Sequence, residues 1–216
     1  MNRYFLLALL AAAPAADAAR PFVTDDARIV DPGGWQVETF VKRQQRVTER
    51  EFWLLPAHNP GGRMEFTLGQ YRVDNPAAGD TRVTLAQVKT LLKPLETNGS
   101  GYALTAGIAR ENPYFNGIGS HSFAGDRVVV HANLGGVRDR PAMRSRGTWG
   151  LGSELVFTPR LIGIVETYGQ SGEKPTLHAG LRVWAIPDRW QIDATVGRQD
   201  VSPSRRFTSI GMRFLF

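Results

Sequence analysis

The chain contains no cysteine, which removes disulfide staples, thiolate metal ligands and cysteine nucleophiles from consideration. Its four histidines, His58, His121, His131 and His178, lie far apart, with no His-x-His or His-Glu-x-x-His spacing. No metal motif is present on that count, and no cofactor is expected. The pair Asp25-Asp26 has the chemistry for a calcium ion, but solvated loop charge is the simpler reading. A glycine-rich phosphate loop of the right spacing is also missing. After the first residues no apolar run approaches the ~20 residues that a membrane-spanning helix needs. If this protein sits in a membrane, it crosses as strands.

What is plentiful is positive charge, with 26 Lys and Arg against 20 Asp and Glu. The bases are scattered singly, without the clustered stripe that a phosphate backbone demands, so no nucleic acid is expected. Attraction to anionic lipid head groups fits the balance better. The front end says where the chain meets lipid. Arg3 is followed by an apolar stretch from Phe5 to Ala13 and by Ala16-Asp17-Ala18, the small-x-small pattern of a cleavage site. Residues 1–18 therefore read as a Sec-type secretory signal peptide cut after Ala18. An exported protein does not meet the genome.

Residues 19–34 are irregular, punctuated by Asp25-Asp26 and Pro32-Gly33-Gly34, and are expected in the periplasm or as a plug-like lead-in. From Trp35 to Phe216 the chain alternates apolar and polar residues in segments of ~10, the signature of strands long enough to cross hydrocarbon at a tilt. The last segment, Phe207 to Phe216, sets Ile210, Met212, Phe214 and Phe216 against Ser209, Gly211 and Arg213. A soluble domain rarely ends on such an edge, which invites pairing with other chains. In a barrel it closes on the first strand. Counting such segments predicts a closed antiparallel transmembrane β-barrel of about twelve strands, with ten as the alternative. Tight turns are expected at Pro56 to Gly62, Gly125-Asp126, Thr158 to Arg160 and Ile186 to Arg189, all at the end that holds the termini. Longer connections are expected opposite, and Glu111 to Gly119 reads as a loop before a thin sixth strand.

A membrane barrel turns its apolar face to lipid and its polar face to an enclosed lumen. The apolar faces carry Trp35, Trp53, Tyr102, Trp149, Phe157, Trp190 and Phe216 near strand ends, where an interfacial girdle belongs. On the opposite register lie Glu38, Glu65, Lys89, His131, Asn133, Glu154, Glu166, His178, Arg182, Asp193 and Arg213. These eleven are the candidate lumen-lining residues, suited to a narrow, watered interior with cross-strand pairs.

Several stretches carry a family likeness: RPFVTDD at Arg20 to Asp26, LPAHNPGG at Leu55 to Gly62, KTLLKPLETNG at Lys89 to Gly99, VVVHANLGG at Val128 to Gly136, and TWGLGSELVFTPRLIGIVETYGQ at Thr148 to Gln170. They resemble the outer-membrane family labelled as a putative component of the meta-cleavage pathway of phenol degradation, over nearly all of the exported chain. The resemblance implies an outer-membrane barrel of transporter type and supplies no catalytic residues. The aromatic carboxy-terminus, Phe216, also resembles the signal by which barrel-assembly machinery recognises its clients.

The expectation is thus a passive outer-membrane conduit for small solutes, aromatic ones included, with no catalytic residues. Two rivals belong to other classes. A lipid-cleaving barrel enzyme needs Ser and His within reach of each other. Ser120 and Ser122 flank His121 on the opposite face, and His131 is followed by Asn133 two residues on, which leaves only a cross-strand serine to complete such a site. A soluble periplasmic ligand-binding barrel would put its apolar faces inward.

Overall fold

The computed structural model describes residues 22–45, 49–76, 79–201 and 204–216. The expected signal peptide, residues 1–18, lies outside the described residues. Twelve strands form where the alternation is strongest. They are β1 (Trp35–Gln44), β2 (Arg50–His58), β3 (Met64–Asp74), β4 (Thr81–Lys93), β5 (Ser100–Ala109) and β6 (Asn112–Phe123). The second half consists of β7 (Val128–Asp139), β8 (Arg144–Thr158), β9 (Leu161–Gln170), β10 (Thr176–Ile186), β11 (Trp190–Gln199) and β12 (Arg205–Leu215). Every neighbour pair is antiparallel, and β12 returns to β1 to close the barrel. The seam ends in a reciprocal backbone pair, Trp35 N–H to the Phe216 carbonyl at 2.6 Å and Phe216 N–H to the Trp35 carbonyl at 3.0 Å. Closure leaves no free strand edge, the condition a sheet must meet in hydrocarbon.

The faces separate as a membrane barrel requires. Leu134, Leu68 and Ile210 look outward at 74%, 65% and 60% exposure, while Arg182 and Asp193 are enclosed at 3% and 2%. In a soluble barrel these values would be reversed.

Three local expectations are corrected. The stretch Glu111 to Gly119 is not a loop: Arg110 and Glu111 alone turn the chain, and β6 begins at Asn112. Its turn-like residues have strand uses, since Asn116 points inward to Asn133 and Pro113 sits in the first residues of the strand, where a missing N–H costs least. The turn expected at Pro56 begins later, because β2 runs on to His58. Pro56 cannot donate, and the β2–β3 ladder accordingly passes from Leu54↔Gln70 to Ala57↔Thr67. Long outer connections do not occur either, the far end being joined by stretches no longer than 75–80.

The turns at the terminal end are built from local chemistry. At 124–127, Ala124, Gly125 and Asp126 all take positive φ, a conformation that glycine and aspartate tolerate better than most residues. The Asp126 carboxylate accepts hydrogen bonds from Ser122 and, at 2.6 Å, from Thr97. Those bonds hold its carboxyl below the ordinary carboxylate range.

Candidate functional site

The lumen is occupied by the chain itself. Residues Phe22 to Val30 lie inside the barrel, with Phe22, Thr24, Asp25, Asp26 and Ala27 almost fully buried. An irregular backbone inside a barrel must find partners for its amides. The wall supplies them through side chains. Glu166 accepts from the N–H groups of Val23 and Thr24 at 2.8 and 2.7 Å. Asn133 accepts from Asp25 N–H at 2.6 Å and donates to the Asp25 carbonyl at 2.8 Å. The Ser120 hydroxyl accepts from Ala27 N–H at 2.9 Å, and Glu65 accepts from Val30 N–H at 2.8 Å.

Charge pairs fix the segment's side chains. Lys89 Nζ lies 2.6 Å from Asp25 and 3.3 Å from Asp26. Arg28 lies 3.0 Å from Glu154, which also holds Arg182 at 2.9 Å. Buried charges are tolerable only when paired in this way. We therefore expect Lys89→Met to weaken the seating of residues 22–30 by ~3–5 kcal/mol, because it leaves Asp25 and Asp26 enclosed without their ammonium partner. Limited proteolysis of the folded, heat-modifiable form checks this. A segment as well protected as in wild type would mean the pair carries no weight.

Room for the segment comes from missing side chains. On the inward face of β8, a Cβ built on Gly150 would stand 2.6 Å from Thr24 Oγ1, and one on Gly152 would stand 2.8 Å from the Phe22 ring. Any larger residue at either position competes with Thr24 or Phe22 for the same space. With the segment seated, the space among Asp25, Arg28, Glu38, Glu65, Lys89 and Arg213 is about 20 Å³, room for a water molecule but no solute.

All eleven candidate residues lie on the enclosed face. Glu65, Lys89, Asn133, Glu154 and Glu166 touch the segment directly. His131 packs its ring edge-on to Phe22 at 5.5 Å. His178 bridges Glu166 and Thr195, while Arg182 buttresses Glu154. Glu38 pairs with Arg213 at 3.4 Å on the β1–β12 seam, Arg213 also donating to Gln36. Asp193 lies over Gly211, whose Cβ would meet its carboxylate at 3.1 Å. What these residues enclose is a polypeptide rather than the watered interior expected from their alternation.

The site contains more than that reading supplied. Asp25 and Asp26 were visible only as loop charge, and nothing in the alternation marked Arg28. Trp53, expected in the outer girdle, faces inward at 8% exposure, stacked between Phe40 at 5.0 Å and Tyr71 at 4.0 Å. With Leu55, Val83, Leu85 and Tyr114 it forms an apolar wall inside the lumen. The signal was in β2, whose run Phe52-Trp53-Leu54-Leu55 is apolar on both faces and so demands burial on both.

A cross-strand serine does meet a histidine. Ser120 Oγ lies 2.8 Å from His131 Nδ1, both enclosed. The same hydroxyl accepts from Ala27 N–H, so the segment covers the position from which an ester would approach. Among the described residues no group of His, Asp and Glu has the geometry to hold a metal ion.

A closed twelve-stranded antiparallel barrel with its apolar face outward is a barrel of the porin fold. Among solved structures it is similar to the NanC porin, with a TM-score of 0.66 at 7% identity over 82% of this chain and 98% of that one. It is also similar to the KdgM porin, with a TM-score of 0.64 at 13% identity over 83% and 98%. At such identities the likeness speaks to fold alone. The chain belongs to the family described as "Uncharacterised conserved protein UCP029691", whose model matches residues 5–216. No curated protein matches it.

Proposed function

We propose that the protein is an outer-membrane channel for small solutes, held shut by its own residues 22–30. The observation that carries this reading is the way the segment is held. It docks through hydrogen bonds and ion pairs that water can replace, against glycines that leave it space, inside a barrel that needs no plug to satisfy its backbone. A segment bound in that manner can leave, and departure would uncover a polar passage along β7–β12. In planar bilayers the purified full chain should conduct in brief openings from a closed baseline. A chain lacking residues 22–30 should stay open. Silence from both would overturn the channel.

The solute is inferred from the wall. The stack Phe40–Trp53–Tyr71 offers flat apolar surface beside the passage, which favours an aromatic solute, in keeping with the phenol-degradation resemblance. A KdgM porin structure is described as a complex with disordered oligogalacturonate. Here the buried acids of the inner wall, Glu38, Glu51, Glu65, Glu154, Glu166 and Asp193, outnumber its buried bases, Lys89 and Arg182, among the described residues, so a polyanion has less to hold. We further infer that assembly in the outer membrane reads the terminal aromatic. Deleting Phe216 should lower the heat-modifiable fraction in cells several-fold while leaving refolding in detergent intact. Equal cellular assembly would contradict this.

A further inference from the structure

The two rims of the barrel differ in chemistry. The end where β1 begins and β12 finishes carries aromatics, among them Trp35 stacked on His58 at 4.2 Å and Trp190 stacked on Phe214 at 5.7 Å. The opposite end carries arginines in an arrangement that costs stability. Arg43↔Arg50, Arg72↔Arg82 and Arg198↔Arg206 are directly opposed cross-strand partners, and all six are exposed on the outward face. Like charges directly opposite each other on a strand pair repel. Among the described residues no such pair occurs at the terminal end. Nearby acids relieve the repulsion in part, Arg72 bonding to Asp80 at 2.7 Å and Arg198 to Asp200 at 2.8 Å. Arg206 has no acidic partner among the described residues.

Directly below Arg198 and Arg206 the outer wall is hollowed. A depression of about 460 Å³ runs across β9 to β12, lined by Val165, Leu177, Ala179 and Val196, with the two arginines at its rim. Ala179 lies between Val165 and Val196 on the neighbouring strands and keeps the floor low, and Gln45 and Thr208 add polar edges on the side toward β12. An apolar trough with two guanidiniums at its mouth matches an acyl chain that ends in a phosphate. A phosphomonoester carries up to two negative charges and accepts bidentate bonds from arginine, so one group answers both cations.

We propose that Arg198 and Arg206, with the trough beneath them, form a binding site for one phosphorylated lipid of the surrounding leaflet. Its phosphate lies between the two guanidiniums and an acyl chain lies over Val165, Leu177 and Val196. The site rests on the membrane-barrel reading but is independent of whether the lumen ever opens.

The test uses the purified full chain in an uncharged detergent at low salt. Lipid A, its dephosphorylated form and inorganic phosphate are each titrated in, and the unfolding midpoint and the retained lipid are measured. Lipid A should raise the midpoint and stay bound, while the dephosphorylated form and inorganic phosphate should do neither. Arg206→Gln should weaken retention about tenfold or more, the effect of losing a hydrogen bond to a charged group. Without lipid, the same variant should unfold at a higher temperature than wild type, since the repulsion is gone. Arg138→Gln is the control, because Arg138 faces outward opposite Ser145 and its loss should change nothing. Three results would overturn the site: lipid A retained equally by Arg198→Gln/Arg206→Gln, stabilisation by inorganic phosphate alone, or a lower lipid-free midpoint for Arg206→Gln. Recovery of the chain from cells without detergent would instead sink the membrane reading itself.

Discussion

Gly152→Val unseats the N-terminal segment and raises the open probability of the channel by about 5- to 150-fold. The number follows from packing. Gly152 faces inward on β8, and an added Cβ already stands 2.8 Å from the Phe22 ring. A full valine overpacks that contact, which costs ~1–3 kcal/mol, and a difference of that size shifts a two-state equilibrium by the stated factor. Most of the penalty falls on the docked state, because once the segment leaves only the 3.3 Å approach of the added Cβ to Glu166 Cβ on β9 remains, and valine otherwise suits a strand. Barrel stability should therefore be little changed. Single-channel recording reads the open probability, and heat-modifiability reads the barrel. An unchanged open probability with a stable barrel would mean that Phe22 does not seat against Gly152.

Leu134→Arg should prevent assembly, while Asn133→Leu, one residue away, should not. Leu134 projects outward near the middle of β7. Arginine on the lipid face costs ~2–4 kcal/mol at the bilayer midplane. Asn133 projects inward and clamps Asp25 from both sides. Replacing it removes those bonds and loosens the segment, but it presents nothing charged to lipid. Fractionation of cells expressing each variant, followed by a heat-modifiability gel, separates the two. Equal assembly of both would mean that β7 does not face lipid as described.

The two faces of this molecule were legible because a strand's period of two separates them, while the choice of lipid for the apolar face came from the front end and the last strand. Ile210, Met212 and Phe214 share a face with no polar residue among them, and the same parity counted about twelve strands with ten as the alternative. Local signals misled where one residue type serves two purposes. Asn112-Pro113 and Asn116-Gly117 look like turns, yet Asn116 is a buried donor to Asn133. Trp53 looks like a girdle residue, yet it fills the lumen.

The occupant of the lumen was half legible: residues 19–34 were expected in the periplasm or as a plug-like lead-in, and no residue chose between the two. Alternation tells which side chains point inward and says nothing of what they meet. Residues 22–30 bind mainly through backbone groups, which every sequence has. The trace they leave is on their host: glycines at 150 and 152, and carboxylates at 65 and 166 whose partners are backbone N–H groups from far along the chain.

The claim on which the account depends is that residues 22–30 sit against β8 inside the barrel. A chain without native cysteine permits a clean measurement. A Cβ at Gly150 would lie 3.2 Å from the Thr24 Cβ, near the separation a disulfide spans. Thr24→Cys with Gly150→Cys, purified from the membrane and titrated for free thiols under mild oxidant, should lose both thiols within one chain. It should record as a closed channel that dithiothreitol reopens, to at least the wild-type open probability because the reduced Gly150→Cys side chain crowds residue 24. Two free thiols in a folded, oxidised barrel would contradict the account.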